Sequence, residues 1–141
     1  MSTAMSAGAR LDAAVPISRG RVWTGRMITG LISAFMLLDA VMKFAKPAPV
    51  AAAFARTGWP IELSITLGAI LLISTILYLI PRTAVVGAIL LTGYLGGAVA
   101  THLRMSDPLF SHTLFGVYLG IALWGGLWLR DGRVRNLLPI G

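Results

Sequence analysis

Residues 61–80 read IELSITLGAILLISTILYLI and residues 83–102 read TAVVGAILLTGYLGGAVATH, with only Pro81 and Arg82 between them. A helix that crosses a membrane needs about 20 mostly apolar residues, and each run has that length. Proline cannot continue a helix, so the first run must end at Pro81. The stretch therefore predicts two transmembrane helices joined by a tight turn, which forces them to run antiparallel.

Two more apolar runs lie at residues 23–44 and 110–129. The runs do not alternate as barrel strands do, and an open strand would leave its backbone groups unpaired in hydrocarbon. The sequence therefore predicts an all-α fold, a four-transmembrane-helix bundle of up-down-up-down topology, over residues 21–135. Residues 1–20 are predicted to be a disordered cytoplasmic tail, and residues 136–141 a short C-terminal tail.

The composition agrees with a membrane protein and excludes several function classes. The chain is 57% hydrophobic and 12% charged, whereas a soluble domain has about 25% charged residues. The net charge of +7 comes from basic residues that flank the apolar runs, and no nucleic-acid-reading motif accompanies them. We therefore expect lipid bilayer and no nucleic acid as partner. The absence of cysteine excludes disulfide exchange, thiol relays, iron–sulfur clusters and covalent haem attachment.

The connection between the first two spans predicts a short additional helix. Pro47 and Pro49 follow the first span, and the segment 50–56 (VAAAFAR) favours helix. Gly58 is placed to end this helix. Trp59 is typical of the membrane interface, so the helix is predicted to lie there.

The basic residues also predict an orientation. Cytoplasmic loops carry an excess of Lys and Arg, and eight of the twelve lie on the side of the two termini. Both termini are therefore predicted to be cytoplasmic, in a bacterial-type inner membrane. The eight are Arg10, Arg19, Arg21, Arg26, Arg82, Arg130, Arg133 and Arg135, and the other four are Lys43, Lys46, Arg56 and Arg104.

Small residues mark two faces for helix packing. Gly93 and Gly97 form a GxxxG step in the third span, and Gly116 and Gly120 form another in the fourth. Small residues let helix backbones approach closely where lipid gives no hydrophobic drive for association. These faces indicate packing within the chain or, as the alternative, a homodimer.

The predicted topology gathers the polar residues of the spans at one end, opposite the termini. Asp39 and Lys43 are four residues apart and share a helix face, where they can pair. Ionisable residues in a membrane are candidates for function, although a structural pair, a helix-capping carboxylate and hydrogen-bonded interfacial histidines remain alternatives. Two histidines without a third ligand predict no metal site, and no catalytic motif appears. The candidate cluster is Asp39, Lys43, Glu62, Tyr94, His102, Arg104 and His112.

Several of these residues occur in segments that resemble the DoxX-like family of small four-helix membrane proteins. The resemblance covers about residues 22–130. It is carried by the following segments in order: Asp39 with Lys43, Phe54 with Gly58-Trp59-Pro60, Pro81-Arg82-Thr83, Gly93-Tyr94-Leu95-Gly96-Gly97-Ala98, and His102-Leu103-Arg104.

The resemblance implies a limited set of functions. Relatives are associated with thiosulfate oxidation linked to membrane quinone and with membrane complexes that handle oxidative stress. By matching position, Asp39, Lys43, Tyr94, His102 and Arg104 would form the site, and quinone is the possible cofactor. The lack of cysteine departs from any thiol-based version of this chemistry. Three functions stay open: an accessory subunit of a membrane complex with a protein partner, a quinone-linked oxidoreductase component, and a small transporter or proton-conducting bundle.

Overall fold

The computed structural model describes residues 17–140, and this part of the chain forms helices and no strands, which confirms the all-α prediction. Residues 1–16 of the predicted tail lie outside the described residues. The helices are α1 (Arg19–Ala45), α2 (Ala48–Thr57), α3 (Leu63–Leu79), α4 (Ala84–Arg104), a π-helical turn (Leu109–Thr113), α5 (Phe115–Arg130) and α6 (Gly132–Leu137).

Three segments are long and apolar enough to cross a membrane: α1, α4, and the π-helical turn together with α5 (Leu109–Arg130). The predicted second span is shorter, because α3 has 17 residues. At 1.5 Å per residue it is about 25 Å long, against a hydrocarbon core of about 30 Å.

The short helix expected after the first span is present as α2. It begins after Pro47 and ends at Gly58, whose φ of 73° is left-handed. A glycine reaches this conformation without the steric cost that a side chain adds. The N–H of Gly58 donates to the carbonyl of Ala55 at 3.3 Å, which completes the helix end.

The start of the fourth predicted span differs from a regular helix. The backbone N–H groups of His112 and Thr113 both donate to the carbonyl of Pro108, at 3.1 and 3.2 Å. The Leu114 N–H reaches the carbonyl five residues earlier, at 2.8 Å, so this turn is wider than an α-helical turn. The buried Thr113 hydroxyl donates to the carbonyl of Asp107, which anchors the wide turn to the preceding loop.

The four long helices pack in a ring in which α1 and α4 each contact both α3 and α5. The centre of the ring is filled by large side chains. Tyr78 is fully buried there, and its hydroxyl donates to the carbonyl of Leu123 at 2.7 Å. The other large fully buried apolar side chains of the helix ring are Met36, Leu71, Leu91, Leu123 and Leu127.

Two contacts between helices require glycine. A Cβ at Gly87 would lie 2.2 Å from the backbone nitrogen of Tyr78, so α3 and α4 could not pack as they do. A Cβ at Gly25 would lie 2.9 Å from the carbonyl oxygen of Gly126, where α1 meets α5. Such distances are far below van der Waals contact, and these glycines set the spacing of the helices.

Large apolar side chains cover the outside of the ring. Leu31 is 69% exposed, Ile89 57% and Ile121 68%, on three different helices. A water-soluble protein rarely exposes continuous apolar surface of this kind. The exposed surface therefore suits lipid.

The ring has two chemically different ends. At one, the Ser64 hydroxyl donates to the carbonyl of Lys43 at 2.6 Å, and the rings of His102 and His112 lie 6.2 Å apart. We call this the histidine end, which comprises Asp39, Lys43, Ser64, Tyr94, His102 and His112 together with the loop 105–108. The opposite end, the arginine end, comprises Arg130, Arg133, Arg135, Asp131 and the turn 80–83.

Candidate ligand-binding site

A cavity of about 290 Å³ lies at the histidine end, between α1, α4 and the start of α5. Its apolar walls include Phe35, Met36, Phe115 and Leu119. Five of the seven residues predicted as the polar cluster line this cavity. These five are Asp39, Lys43, Tyr94, His102 and His112.

The cavity wall on α1 carries an ion pair. Lys43 Nζ lies 2.6 Å from Asp39 Oδ1, one helical turn away along α1. The same ammonium lies 5.9 Å from the centre of the Tyr94 ring on α4, within the range of a cation–π contact. The Lys43 side chain is only 14% exposed. Lys43 is therefore held between a carboxylate and an aromatic face, at the edge of the cavity.

The loop after α4 brings an aspartate back to the last turn of that helix. Ser106 has a φ of 56°, in the left-handed region. Its N–H donates to the carbonyl of Leu103 at 3.0 Å, and the N–H of Asp107 donates to the carbonyl of His102 at 3.1 Å. This pair of bonds is a Schellman motif, which reverses the chain at a helix C-terminus. The motif places Asp107 beside His102.

Asp107 connects the cavity to α2. Its Oδ2 lies 2.5 Å from His102 Nδ1, and Arg56 donates to both of its oxygens at 2.7 and 3.3 Å. The Arg56 guanidinium, and then the hydrogen bond from His102, lower the pKa of Asp107 to about 2. The carboxylate is therefore ionised at physiological pH.

An ionised Asp107 fixes the chemistry of His102. A carboxylate can only accept, so Nδ1 of His102 carries the proton that lies between them. In the neutral ring the other nitrogen, Nε2, is then an acceptor. Among residues 17–140 no hydrogen bond engages Nε2 of either histidine. His102 can thus accept a hydrogen bond from a ligand at Nε2 while Asp107 holds Nδ1.

His112 reaches the cavity from the π-helical turn. Its ring meets that of His102 edge to face, with 60° between the planes. Its Nδ1 lies 2.8 Å from the hydroxyl of Ser111. Within the described residues, no three His, Cys, Asp or Glu side chains gather as a metal centre would require.

Two residues of the predicted cluster lie elsewhere at the same end. Arg104 donates to the backbone carbonyl of Thr57 and so ties the end of α4 to the end of α2. Glu62 is exposed before α3 and has no hydrogen-bond partner among the described residues. Neither lines the cavity. Asp107 and Arg56 are outside the predicted cluster, and their pairing joins the loop after α4 to the last turn of α2, 51 residues away in the sequence.

The four glycines predicted to pack have different surroundings. A Cβ at Gly116 would lie 2.9 Å from Val99 Cγ2, so α5 meets α4 closely there. Gly93, Gly97 and Gly120 have no atom within 4 Å of such a Cβ and face open space. The close approaches at Gly25 and Gly87 use glycines outside the GxxxG steps.

Comparison with known proteins identifies the family of this chain. The sequence profile of the DoxX-like family matches residues 27–126, which is most of the chain and includes every residue that lines the cavity. The chain belongs to the DoxX-like family. No curated protein and no solved structure gives a significant match. The exposed apolar helices and the family together make this DoxX-like chain a membrane protein.

Proposed function

We propose that this DoxX-like protein is an accessory component of a membrane complex and that its cavity binds the headgroup of a quinone. The observation that carries the proposal is the convergence of Asp39, Lys43, Tyr94, His102 and His112 on one cavity with apolar walls. Ligand sites are typically apolar clefts with a few polar groups that fix orientation. A protein partner would supply the electrons that reduce the bound quinone.

The cavity chemistry suits both redox forms of such a headgroup. A quinone carbonyl needs a hydrogen-bond donor, which Lys43 or Tyr94 can supply. A quinol hydroxyl needs an acceptor, which Nε2 of His102 can supply while Asp107 holds Nδ1. The aromatic and aliphatic walls suit the faces of a flat ring.

We further propose that the protein spans the membrane four times, with α3 as the shorter span. A stretch of 17 apolar residues is at the lower limit of a membrane-spanning helix. In the predicted topology, eight of the twelve basic residues lie on the side of the two termini. This distribution supports cytoplasmic termini in a bacterial-type inner membrane, with the histidine end on the outer side.

The packing disfavours the transporter alternative. A path from the cavity to the arginine end would have to cross Met36, Leu71, Leu123 and Tyr78, which are at most 1% exposed. Ion and proton pathways are lined by polar side chains or water. The ionisable side chains of the described cluster lie only at the histidine end, and the buried polar side chains beyond it are the uncharged hydroxyls of Thr29, Ser33, Ser74 and Thr75.

The test is quinone binding in nanodiscs made with native lipid. We expect the parent protein to retain quinone and to bind added short-chain benzoquinone saturably. The double variant Asp39→Ala, Lys43→Ala should lose both. His112→Ala should weaken binding without affecting the fold, since His112 is exposed and its side-chain hydrogen bond is only to its neighbour Ser111.

Glu62→Gln is the matched control, because Glu62 lies at the same end but outside the cavity. Its binding curve should coincide with that of the parent. If the parent binds no quinone with or without partner proteins, or if Glu62→Gln and His112→Ala weaken binding equally, the cavity is not the site. The polar cluster would then serve only to join the helix ends.

A further inference from the structure

A second and larger space lies outside the ring, next to the cavity. It is a groove of about 680 Å³ between α4 and α5, open to the side. Its floor is formed by Gly96, Gly120 and Gly125, and Trp128 and Leu138 line its far part. The groove exists because glycines replace the side chains that would otherwise fill the space between the two helices.

The polar groups of the groove already have partners within the chain. Trp124 Nε1 donates to the Thr92 hydroxyl at 2.9 Å, and that hydroxyl donates to the carbonyl of Ala88 at 2.7 Å. Trp128 Nε1 donates to the carbonyl of Leu138 at 3.0 Å. The groove therefore offers apolar surface to an occupant and little else.

The groove and the polar cavity meet at one place. Leu95, Val99 and Gly116 line both of them. At this place α4 and α5 are in close contact, with the methyl group of Val99 against Gly116. This contact lies between a space with ionisable side chains and a space that is almost wholly apolar, and a chain that joins the two must move the Val99 side chain aside.

We propose that the ligand is a long-chain amphiphile whose headgroup lies in the cavity and whose apolar chain crosses beside Val99 and lies in the groove. This inference rests on the proposed quinone site and names the ligand class: a quinone with a hydrocarbon chain, as opposed to a small water-soluble one. The groove accommodates a chain of about 18 Å, the rise of α5 from Gly116 to Trp128. A second copy of the protein or an acyl chain of bulk lipid would need no connection to the polar cavity.

The test compares two benzoquinones, one with a single prenyl unit and one with four, in nanodiscs of phosphatidylcholine. Affinity is expressed as mole fraction in the lipid, which removes the difference in partition. Lipid solvates the prenyl chain nearly as well as the groove does, so only closer packing in the groove can favour the bound state. We therefore expect the quinone with four prenyl units to bind about tenfold more tightly than the quinone with one.

Gly120→Leu is the variant that fills the groove. Its side chain has open space, so the substitution should leave the fold intact. Gly93→Leu is the matched control, because Gly93 also faces open space on α4 but does not line the groove. In Gly120→Leu the two quinones should bind equally, while Gly93→Leu should keep the tenfold difference.

The outcomes separate this inference from the function on which it rests. If both quinones bind the parent equally, or if Gly120→Leu keeps the tenfold difference, the chain does not lie in the groove, although the headgroup site stands. If neither quinone binds, both proposals fail. If Gly120→Leu changes the oligomeric state and leaves both affinities unchanged, the groove is an interface between copies of the chain and the inference is wrong.

Discussion

The two ends of the helix ring use charged side chains in different ways. At the arginine end, Arg130 donates to the carbonyl of Tyr78 at 2.8 Å, and Arg133, which also pairs with Asp131, donates to that of Pro81 at 2.6 Å. At the histidine end Arg104 also donates to a carbonyl, that of Thr57, but Lys43 pairs with Asp39 and His102 with Asp107, side chain to side chain around a cavity. The first arrangement satisfies the free carbonyls at helix ends, and the second leaves polar groups that can face a ligand.

The difference teaches that the partner of a charged residue says more about its role than the residue type does. An arginine on a backbone carbonyl is part of the fold, because every helix end needs such partners. A histidine held by a carboxylate has one ring nitrogen fixed and the other available. We therefore expect substitutions at the arginine end to change stability, and substitutions at the histidine end to change binding.

The largest effect on stability is expected for Arg130→Met. The guanidinium bonds to the carbonyl of Tyr78 and lies 5.1 Å from the centre of the Tyr78 ring. Loss of a hydrogen bond to a charged group should lower the free energy of unfolding by about 2 kcal/mol. Denaturant unfolding in detergent measures it, with the exposed Arg82→Met as control. Equal destabilisation by both variants, or a loss of quinone affinity in folded Arg130→Met, would break the division between the ends.

The next effect is expected for Asp107→Asn. The amide no longer fixes the tautomer of His102, so affinity for the quinol should fall about tenfold, as is typical when the partner of a functional histidine is removed. Affinity for the quinone, which needs a donor, should change less. Asp131→Asn is the same substitution at the arginine end, where Asp131 pairs with Arg133 at 2.9 Å. Its quinol affinity should equal that of the parent, and an equal loss in both variants would contradict the role of Asp107.

A smaller effect is expected in acid, where Asp107 and Asp131 should contribute differently to the loss of stability. The folded-state pKa of Asp107 is about 2, well below its usual value, because of Arg56 and His102. Since the pKa is lowered on folding, its stabilisation is present above about pH 4 and is lost as the pH falls towards 2. Arg133 also lowers the pKa of Asp131, by hydrogen bonding.

Unfolding midpoints measured between pH 5 and pH 2 test this expectation. The loss of stability in acid should be shallower in Asp107→Asn than in the parent. Asp131→Asn should change the slope less, because two basic side chains hydrogen-bond to Asp107, whereas Arg133 alone hydrogen-bonds to Asp131 and Arg130 acts on it only through its charge. If stability falls with pH as steeply in Asp107→Asn as in the parent, the folded state does not stabilise the ionised Asp107 carboxylate.

The smallest effect is expected in the turn that carries Asp107. Ser106 has a left-handed backbone, which costs a residue with a Cβ about 1 kcal/mol. Ser106→Gly should therefore raise the free energy of unfolding by a fraction of that amount, since glycine loses more entropy on folding. The reverse substitution Gly58→Ala, at the left-handed end of α2, should lower it. Opposite signs in the same unfolding assay support the assigned turns, and equal signs would contradict them.

Much of the architecture could be predicted because it is local. Apolar runs and prolines predicted the helices, and the segment 50–56 with Gly58 predicted α2 to within two residues at its start. The relation of Asp39 to Lys43 follows from helix periodicity alone. The family was predicted from short ordered segments and is confirmed by the profile match over residues 27–126.

The features that could not be predicted depend on contacts that leave no periodic pattern in the sequence. The pairing of Arg56 with Asp107 joins the last turn of α2 to the loop after α4, and its signal in the sequence is no stronger than that of any other pair of opposite charges. The π-helical turn differs from an α-helix by one residue, which hydropathy does not register. Glycine spacing marked Gly93 and Gly97, whereas the closest approach is at Gly87, where a tight turn, and not a repeat, brings α3 and α4 together.

The π-helical turn has a consequence for the register of the fourth helix. An α-helix advances 100° per residue, so one extra residue in a turn shifts the angular phase of everything before it relative to everything after it. In this chain the wide turn contains His112 and directly precedes α5. Because of this turn, the angular position of His112 is not fixed by the α-helical register that sets the lipid-facing stripe of α5.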